Sequence, residues 1–180
     1  SYFTGVNTCL TWAIEAQRLD IIQYLLGIKK ASLNAGEKPA VLKALEAPLT
    51  DLSQWIVGYL FSQNANFNSK LHSPDGSSWY TLVGHYVGLK DINRLSMAVR
   101  FKANVNALNS KGQTPLYQAI NMLINSPTVE EYKAHGQVVK LLLHYKANVD
   151  ISDPEGQTIL YKVVEFLIGK EDLSQIQNLQ

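Results

Sequence analysis

Apolar positions along the chain recur in one arrangement. Behind Thr114 they fall at Leu116, Ala119, Ile120 and Leu123. Behind Thr158 they fall at Leu160, Val163, Val164 and Leu167. Behind Ser78 they read Tyr80, Val83, Gly84 and Val87, and behind Thr8 they begin with Leu10, Ala13 and Ile14. An i, i+3, i+4, i+7 spacing marks one face of a helix and excludes the period of two that a half-buried strand needs. The hydroxyl residue ahead of each run is a good N-cap, and Pro115 suits the first helical position, where its missing N–H costs nothing. Apolar runs at 21–26, 52–61, 92–99 and 138–143 predict a second helix behind each first one. A lone helix pair cannot bury both of its faces, whereas a stack of pairs can.

The segments between the helices repeat as well. Lys102-Ala103-Asn104-Val105-Asn106 returns as Lys146-Ala147-Asn148-Val149-Asp150, with earlier copies at Asn64-Ala65-Asn66-Phe67-Asn68 and Lys30-Ala31-Ser32-Leu33-Asn34. Gly112-Gln113-Thr114-Pro115-Leu116-Tyr117 follows the first of these and Gly156-Gln157-Thr158-Ile159-Leu160-Tyr161 the second. Gly76-Ser77-Ser78-Trp79-Tyr80 follows the Asn64 copy after two extra residues. These motifs resemble the ankyrin repeat: a Gly-x-Thr-Pro-Leu-His helix start, a second helix ending Leu-Leu-x-x-Gly-Ala, then a Val-Asn turn. The resemblance is strongest over 112–150 and weakest over 36–68. It implies an all-α solenoid of helix-turn-helix pairs with short turn fingers. The chain would then be a single domain of repeats at roughly 5–34, 36–68, 76–106, 112–150 and 156–180.

Some positions depart from the family pattern. Lys30, Asn64, Lys102 and Lys146 replace the glycine before Ala. If that position is left-handed, each Lys is strained by about 1 kcal/mol, while its cation suits the negative end of a helix. Thr81, Tyr117 and Tyr161 stand where the family has His after Leu. His135 matches a His of the family's second helix. Residues 124–134 read as an insertion between the helices of the fourth repeat, a polar excursion with Ser126-Pro127 to stop or cap a helix, Glu130-Glu131 in solvent, and Val129 and Tyr132 able to dock back onto the stack. The last repeat is expected to place its second helix at 172–179. Leu173, Ile176 and Leu179 would face inward, with Gln175, Gln177, Asn178 and Gln180 as a polar cap.

Composition narrows the function classes. Sixteen basic and 15 acidic residues leave a net charge of +1, which draws in neither nucleic acid nor anionic lipid. The apolar share of 46% sustains a continuous core. The longest apolar stretches, 56–61 and 163–168, fall far below the roughly 20 residues of a membrane span. Cys9 is the one cysteine, so no intrachain disulfide forms, which fits a reducing compartment such as the cytoplasm. Ser1 in place of an initiator Met reads as an excised fragment. The Asn, Gln, Lys, Ile and Tyr content and the degenerate repeats are similar in style to ankyrin proteins that intracellular bacteria deliver to host cytosol as effectors.

Candidate chemistry is sparse. Cys9 has no partner nearby in the sequence that would make it a nucleophile and reads as a small residue of the capping turn. His72, His85, His135 and His144 lack zinc-ligand spacing, and Gly84 and Gly88 form no phosphate loop. No cofactor, metal or catalytic group is expected. The reading is a protein or peptide binder, monomeric, acting as a scaffold. The alternatives are a substrate-recruiting domain of a larger enzyme and a host-directed effector. In ankyrin domains the two positions after the small apolar pair of the first helix, together with the turn tips, line the concave binding face. Here those positions hold Glu15 and Ala16, His85 and Tyr86, Asn121 and Met122, and Glu165 and Phe166. Tyr86, Met122 and Phe166 would form an exposed row of anchors. Asp75, Ser77, Ser110, Lys111, Gln113, Glu155 and Gln157 would form its polar rim.

Overall fold

The computed structural model describes the backbone of residues 8–33, 39–73 and 75–177, and side chains as far as 168. Four helix pairs follow one another: α1 (Cys9–Glu15) with α2 (Leu19–Gly27), α3 (Ala40–Glu46) with α4 (Asp51–Ser62), α5 (Leu82–Leu89) with α6 (Ile92–Arg100), and α7 (Pro115–Ile124) with α8 (Val129–His144). A single long helix, α9 (Ile159–Gln177), closes the described chain. First helices stack on first helices, α1 on α3 and α5 on α7 and α7 on α9, while α6 packs on α8. The chain is an all-α repeat solenoid.

Local chemistry accounts for the helix ends. Thr8, Thr81, Thr114 and Thr128 each accept a backbone N–H three residues on, as N-caps do. Thr158 does the same for Tyr161 at 3.3 Å. Thr50 and Ser53 cap each other reciprocally at the start of α4. Lys30, Asn64, Lys102 and Lys146 all adopt left-handed backbone, and so do Gln17 and Lys90 between the two helices of their pairs, with φ from 49° to 67°.

Asparagine side chains link successive repeats. Asn68 Oδ1 accepts the Asn104 N–H at 2.6 Å, and Asn106 Oδ1 accepts the Asn148 N–H at 2.8 Å. Each rung satisfies a turn amide that has no helical partner. Arg94 of α6 ties the third repeat to the second by donating to the carbonyls of Leu45 and Ala47 at the end of α3, while Asp91 holds its guanidinium at 2.5 Å.

Three expectations are corrected. The third repeat begins its helix at Thr81, not Ser78: the finger from Leu71 to Tyr80 is a small antiparallel hairpin, β1 (Leu71–His72) with β2 (Trp79–Tyr80). Three more residues therefore separate Gly76 from its cap than separate Gly112 from Thr114. The insertion is not an excursion. After a short turn at 125–128, its remainder lengthens α8 to 16 residues against the nine of α6. Val129 and Tyr132 stay exposed. Glu130 and Glu131 lie in the first turn of α8, where the helix dipole favours them. Finally, α9 runs on as one helix through the expected second-helix start at Asp172. The inward and capping roles expected of residues 173–180 fall outside the described side chains.

The turn ahead of α8 carries a pH-sensitive contact. The Ser126 hydroxyl donates to the Met122 carbonyl at 2.9 Å and lies 2.7 Å from His135 Nδ1. A hydroxyl has one proton, so in this arrangement His135 Nδ1–H donates to Ser126 and Nε2 is a lone pair. Nε2 is buried with no hydrogen-bond partner. Burial, and then the charge of Lys90, lower the pKa of His135 from its usual 6.5, against an opposing pull from Glu131. Above pH 6.5 both folded and unfolded states carry neutral imidazole. Below it the unfolded state takes up the proton first, so stability falls with acidification and levels off below the folded-state pKa. We expect urea midpoints to decline between pH 7 and pH 5 and His135→Gln to flatten that decline; an identical slope in the variant would refute the assignment.

Candidate functional site

Fingers and first helices meet along one side of the stack and enclose a groove of about 520 Å³. It runs between the third and fourth repeats. Its walls come from Ser78, Trp79 and Tyr80 of the hairpin finger, from 109–111 and Gln113 of the next finger, and from α5 and α7. The fingers are held rigidly. Asn109 Oδ1 accepts the N–H groups of Lys111 and Gln113 at 2.9 and 3.0 Å, and the Ser110 N–H donates to the Trp79 carbonyl at 2.9 Å. Gly112 has φ +69°, and a Cβ there would lie 2.6 Å from Pro154 Cγ in the following finger. That position requires glycine on both counts.

Of the residues expected at the site, the groove brings together His85, Ser110, Lys111, Gln113, Asn121 and Met122. His85 stacks on Tyr80 with ring centroids 5.3 Å apart and planes 13° from parallel. Asn121 is exposed and Met122 half-buried. Asp75 and Ser77 sit exposed at the hairpin tip, outside the groove lining. There the Ser73 and Ser77 hydroxyls and the Ser77 N–H donate to Asp75 and lower its pKa to about 2. Glu155 and Gln157 belong to the next finger, where both N–H groups donate to Asp153 Oδ1. Glu165, exposed on α9, is 3.3 Å from Lys162, and Phe166 beside it is half-buried.

Tyr86 is the error. It is 1% exposed and belongs to the core, not to an exposed row. The cause is the shifted cap. Counted from Thr81, Tyr86 is five residues in, matching the buried Ala13 and Ala119 counted from Thr8 and Thr114. The positions that match Asn121 and Met122 are Gly88 and Leu89, and Leu89 is 59% exposed on the groove wall. Trp79, Tyr80, Leu89 and Gln118 are thus lining residues that the sequence reading missed. The run Val83, Tyr86, Val87, which repeats the apolar offsets of Leu116, Ala119 and Ile120, is the signal that identifies Thr81 as the cap.

Behind the groove, Tyr117 donates its hydroxyl to Asp153 at 2.8 Å and so ties the fourth repeat to the fifth finger. Burial, then the bond and charge of Asp153, push the Tyr117 phenol up to about 12. Burial opposes ionisation of Asp153 in turn, but bonds from Gln157, Tyr117 and Glu155 outweigh it and hold the carboxyl below its usual range. Tyr117, which stands where the resemblance has His, thus makes an inter-repeat hydrogen bond. Among the described residues, no cluster of three or more His, Cys, Asp or Glu is placed to share a metal ion, and no helix is long and apolar enough to cross a membrane.

A family model described as the ankyrin repeat matches residues 7–38 and 111–154. No curated protein matches the chain. The first matched stretch holds α1 and α2, and the second runs from the Gly112 finger through α7 and α8 to the finger that Pro154 closes. Two separate matches on helix pairs of one stack support the ankyrin-repeat family.

Proposed function

We propose that this chain is a protein-binding module, and that the groove between its fingers and first helices is the contact surface. Ankyrin repeats are in general protein interaction modules. The observation that carries the reading here is the groove itself, a concave surface walled by aromatic, amide and apolar side chains on a rigid frame. Rigid elements limit the entropy lost on binding, and aromatic or Met anchors beside satisfied polar groups are how binding hot spots are built. Met122 and Phe166 serve as anchors, with Leu89 in the place first read as Tyr86. His85, Asn121 and Glu165 flank them, and Asp75, Ser77, Ser110, Lys111, Gln113, Glu155 and Gln157 supply the rim. The partner is a protein or peptide, since a net charge of +1 provides no phosphate track.

Photo-crosslinking tests this reading. A benzophenone amino acid is placed at Leu89, Met122 or Phe166 and, as a control, at the exposed Lys140 of α8. Crosslinks to a defined protein are expected from the first three positions and not from the control. The same partner should lose about 2 kcal/mol of affinity when Leu89 or Met122 becomes Ala. Crosslinks from Lys140 alone, or unchanged affinity in both Ala variants, would move the contact surface elsewhere.

A further inference from the structure

One part of the groove is built unlike the equivalent surface of the neighbouring repeats. Three residues beyond the cap, the first helices carry Thr11, Tyr117 and Tyr161; seven beyond it they carry Glu15, Asn121 and Glu165. Counted from Thr81, α5 has glycine at both places, Gly84 and Gly88. The first gap is occupied from outside. Gln118 of α7 lays its amide over it, donating from Nε2 to the Gly84 carbonyl at 3.3 Å, and a Cβ at Gly84 would press on Oε1 at 3.3 Å. The second gap is open: a Cβ at Gly88 would meet only Gln118 Nε2, at an ordinary 3.5 Å. The three extra finger residues raise a wall beside this gap. Trp79 is braced from behind by Lys70, whose ammonium lies 4.0 Å from its ring centroid, and Tyr80 is stacked on His85.

We propose that the pocket over Gly88 receives an aromatic side chain of an extended peptide segment, with an Asp or Glu of the same segment set against Lys111. This rests on the protein-binding reading above and specifies its partner. Trp79, Tyr80, His85 and the exposed Leu89 line the pocket, so an apolar aromatic group matches it. The lining contains one permanently charged side chain, Lys111, and no carboxylate. A carboxylate on the segment gains a partner there, whereas a Lys or Arg would be desolvated without one. The exposed amide of Asn121 and the finger residues beside the pocket suit the main chain of an extended segment.

The test uses a displayed library of random dodecapeptides selected on the folded chain. Peptides that enrich are expected to share an aromatic residue beside Asp or Glu. Binding is then read by fluorescence anisotropy on the parent, Gly88→Leu and Lys111→Glu. Gly88→Leu replaces an exposed helical glycine with a better helix former, so its melting temperature holds or rises while the pocket fills. Its Kd should rise by about tenfold or more. Lys111→Glu should weaken the acidic peptides and lose that effect once their carboxylate is changed to an amide. No enrichment, enrichment of basic peptides, or equal binding to Gly88→Leu would overturn the proposal. Peptides that ignore Gly88→Leu but are lost with Phe166→Ala would overturn it while leaving the protein-binding function standing.

Discussion

Tyr86→Ala is expected to destabilise the chain by about 3–5 kcal/mol, the range for deleting a buried aromatic ring. The side chain is 1% exposed and stands where α1 and α7 carry alanine. The third repeat is therefore built around one large ring where its neighbours have a methyl group, and truncation leaves a cavity in its core. His85 packs edge-on to the ring at 5.1 Å, so the wall of the groove loosens with the core. The hydroxyl adds a second, separable term. It is buried without a hydrogen-bond partner. Burial, and then the nearby charges of Glu46 and Asp91 against that of Arg94, raise its pKa and keep it a neutral phenol. An unsatisfied buried donor is a cost, so Tyr86→Phe, which keeps the ring, should be about 1 kcal/mol more stable than the parent. Urea denaturation followed by far-ultraviolet circular dichroism checks both. A parent-like midpoint for Tyr86→Ala would return the ring to the surface, and a destabilised Tyr86→Phe would show that the hydroxyl is bonded.

The same residue marks where the sequence was legible and where it was not. Caps at Thr114 and Thr158 could be read because a hydroxyl, a two-residue interval from glycine and an apolar face agreed, and the cap at Thr8 because a hydroxyl and an apolar face agreed. In the third repeat Ser78 and Thr81 both qualify as caps, and the glycine interval selected the wrong one. The pairing of Leu71 with Tyr80 folds the extra residues into a hairpin, which the glycine interval does not reveal. The displaced register put Tyr86 in the binding row and kept Leu89 out of it. In the insertion, Ser126-Pro127 reads as stopping or capping a helix; the cap is the next residue, Thr128, which has with Glu131 the spacing of a capping box. The Thr128 half is in place, with its hydroxyl accepting the Glu131 N–H at 3.2 Å.

Periodicity also identifies a face without identifying what covers it. Leu160, Val164 and Leu167 have the spacing of a core stripe, but Leu160 is 70% exposed and the other two are exposed as well. The left-handed turns at Lys30, Lys102 and Lys146 were legible for a different reason: the family's glycine fixes the backbone there, and lysine adopts it under local strain.

Leu142→Ala should cost about 2–5 kcal/mol, and its effect should spread unevenly. Leu142 is fully buried in α8, which packs on α7 within its own pair and on α6 of the preceding one. α7 in turn contacts α5 and α9. In a stack of repeats each unit is stabilised chiefly by its own packing and by its nearest neighbours. Weakening α8 therefore lowers the local opening free energy of the fourth repeat most, that of α5, α6 and α9 next, and that of α1 and α2 least. Hydrogen exchange resolves this pattern, as faster exchange in α7 and α8 and near-parent exchange in α1 and α2. Leu143→Ala is the control, since Leu143 is the next residue on the same helix but exposed, and a surface change of this kind stays within about 0.5 kcal/mol. Equal acceleration in every helix would mean that the chain unfolds as one cooperative unit, and then binding at the groove would stiffen all repeats together. A graded response would mean that a partner held between the third and fourth repeats protects those two and leaves the first pair free to open.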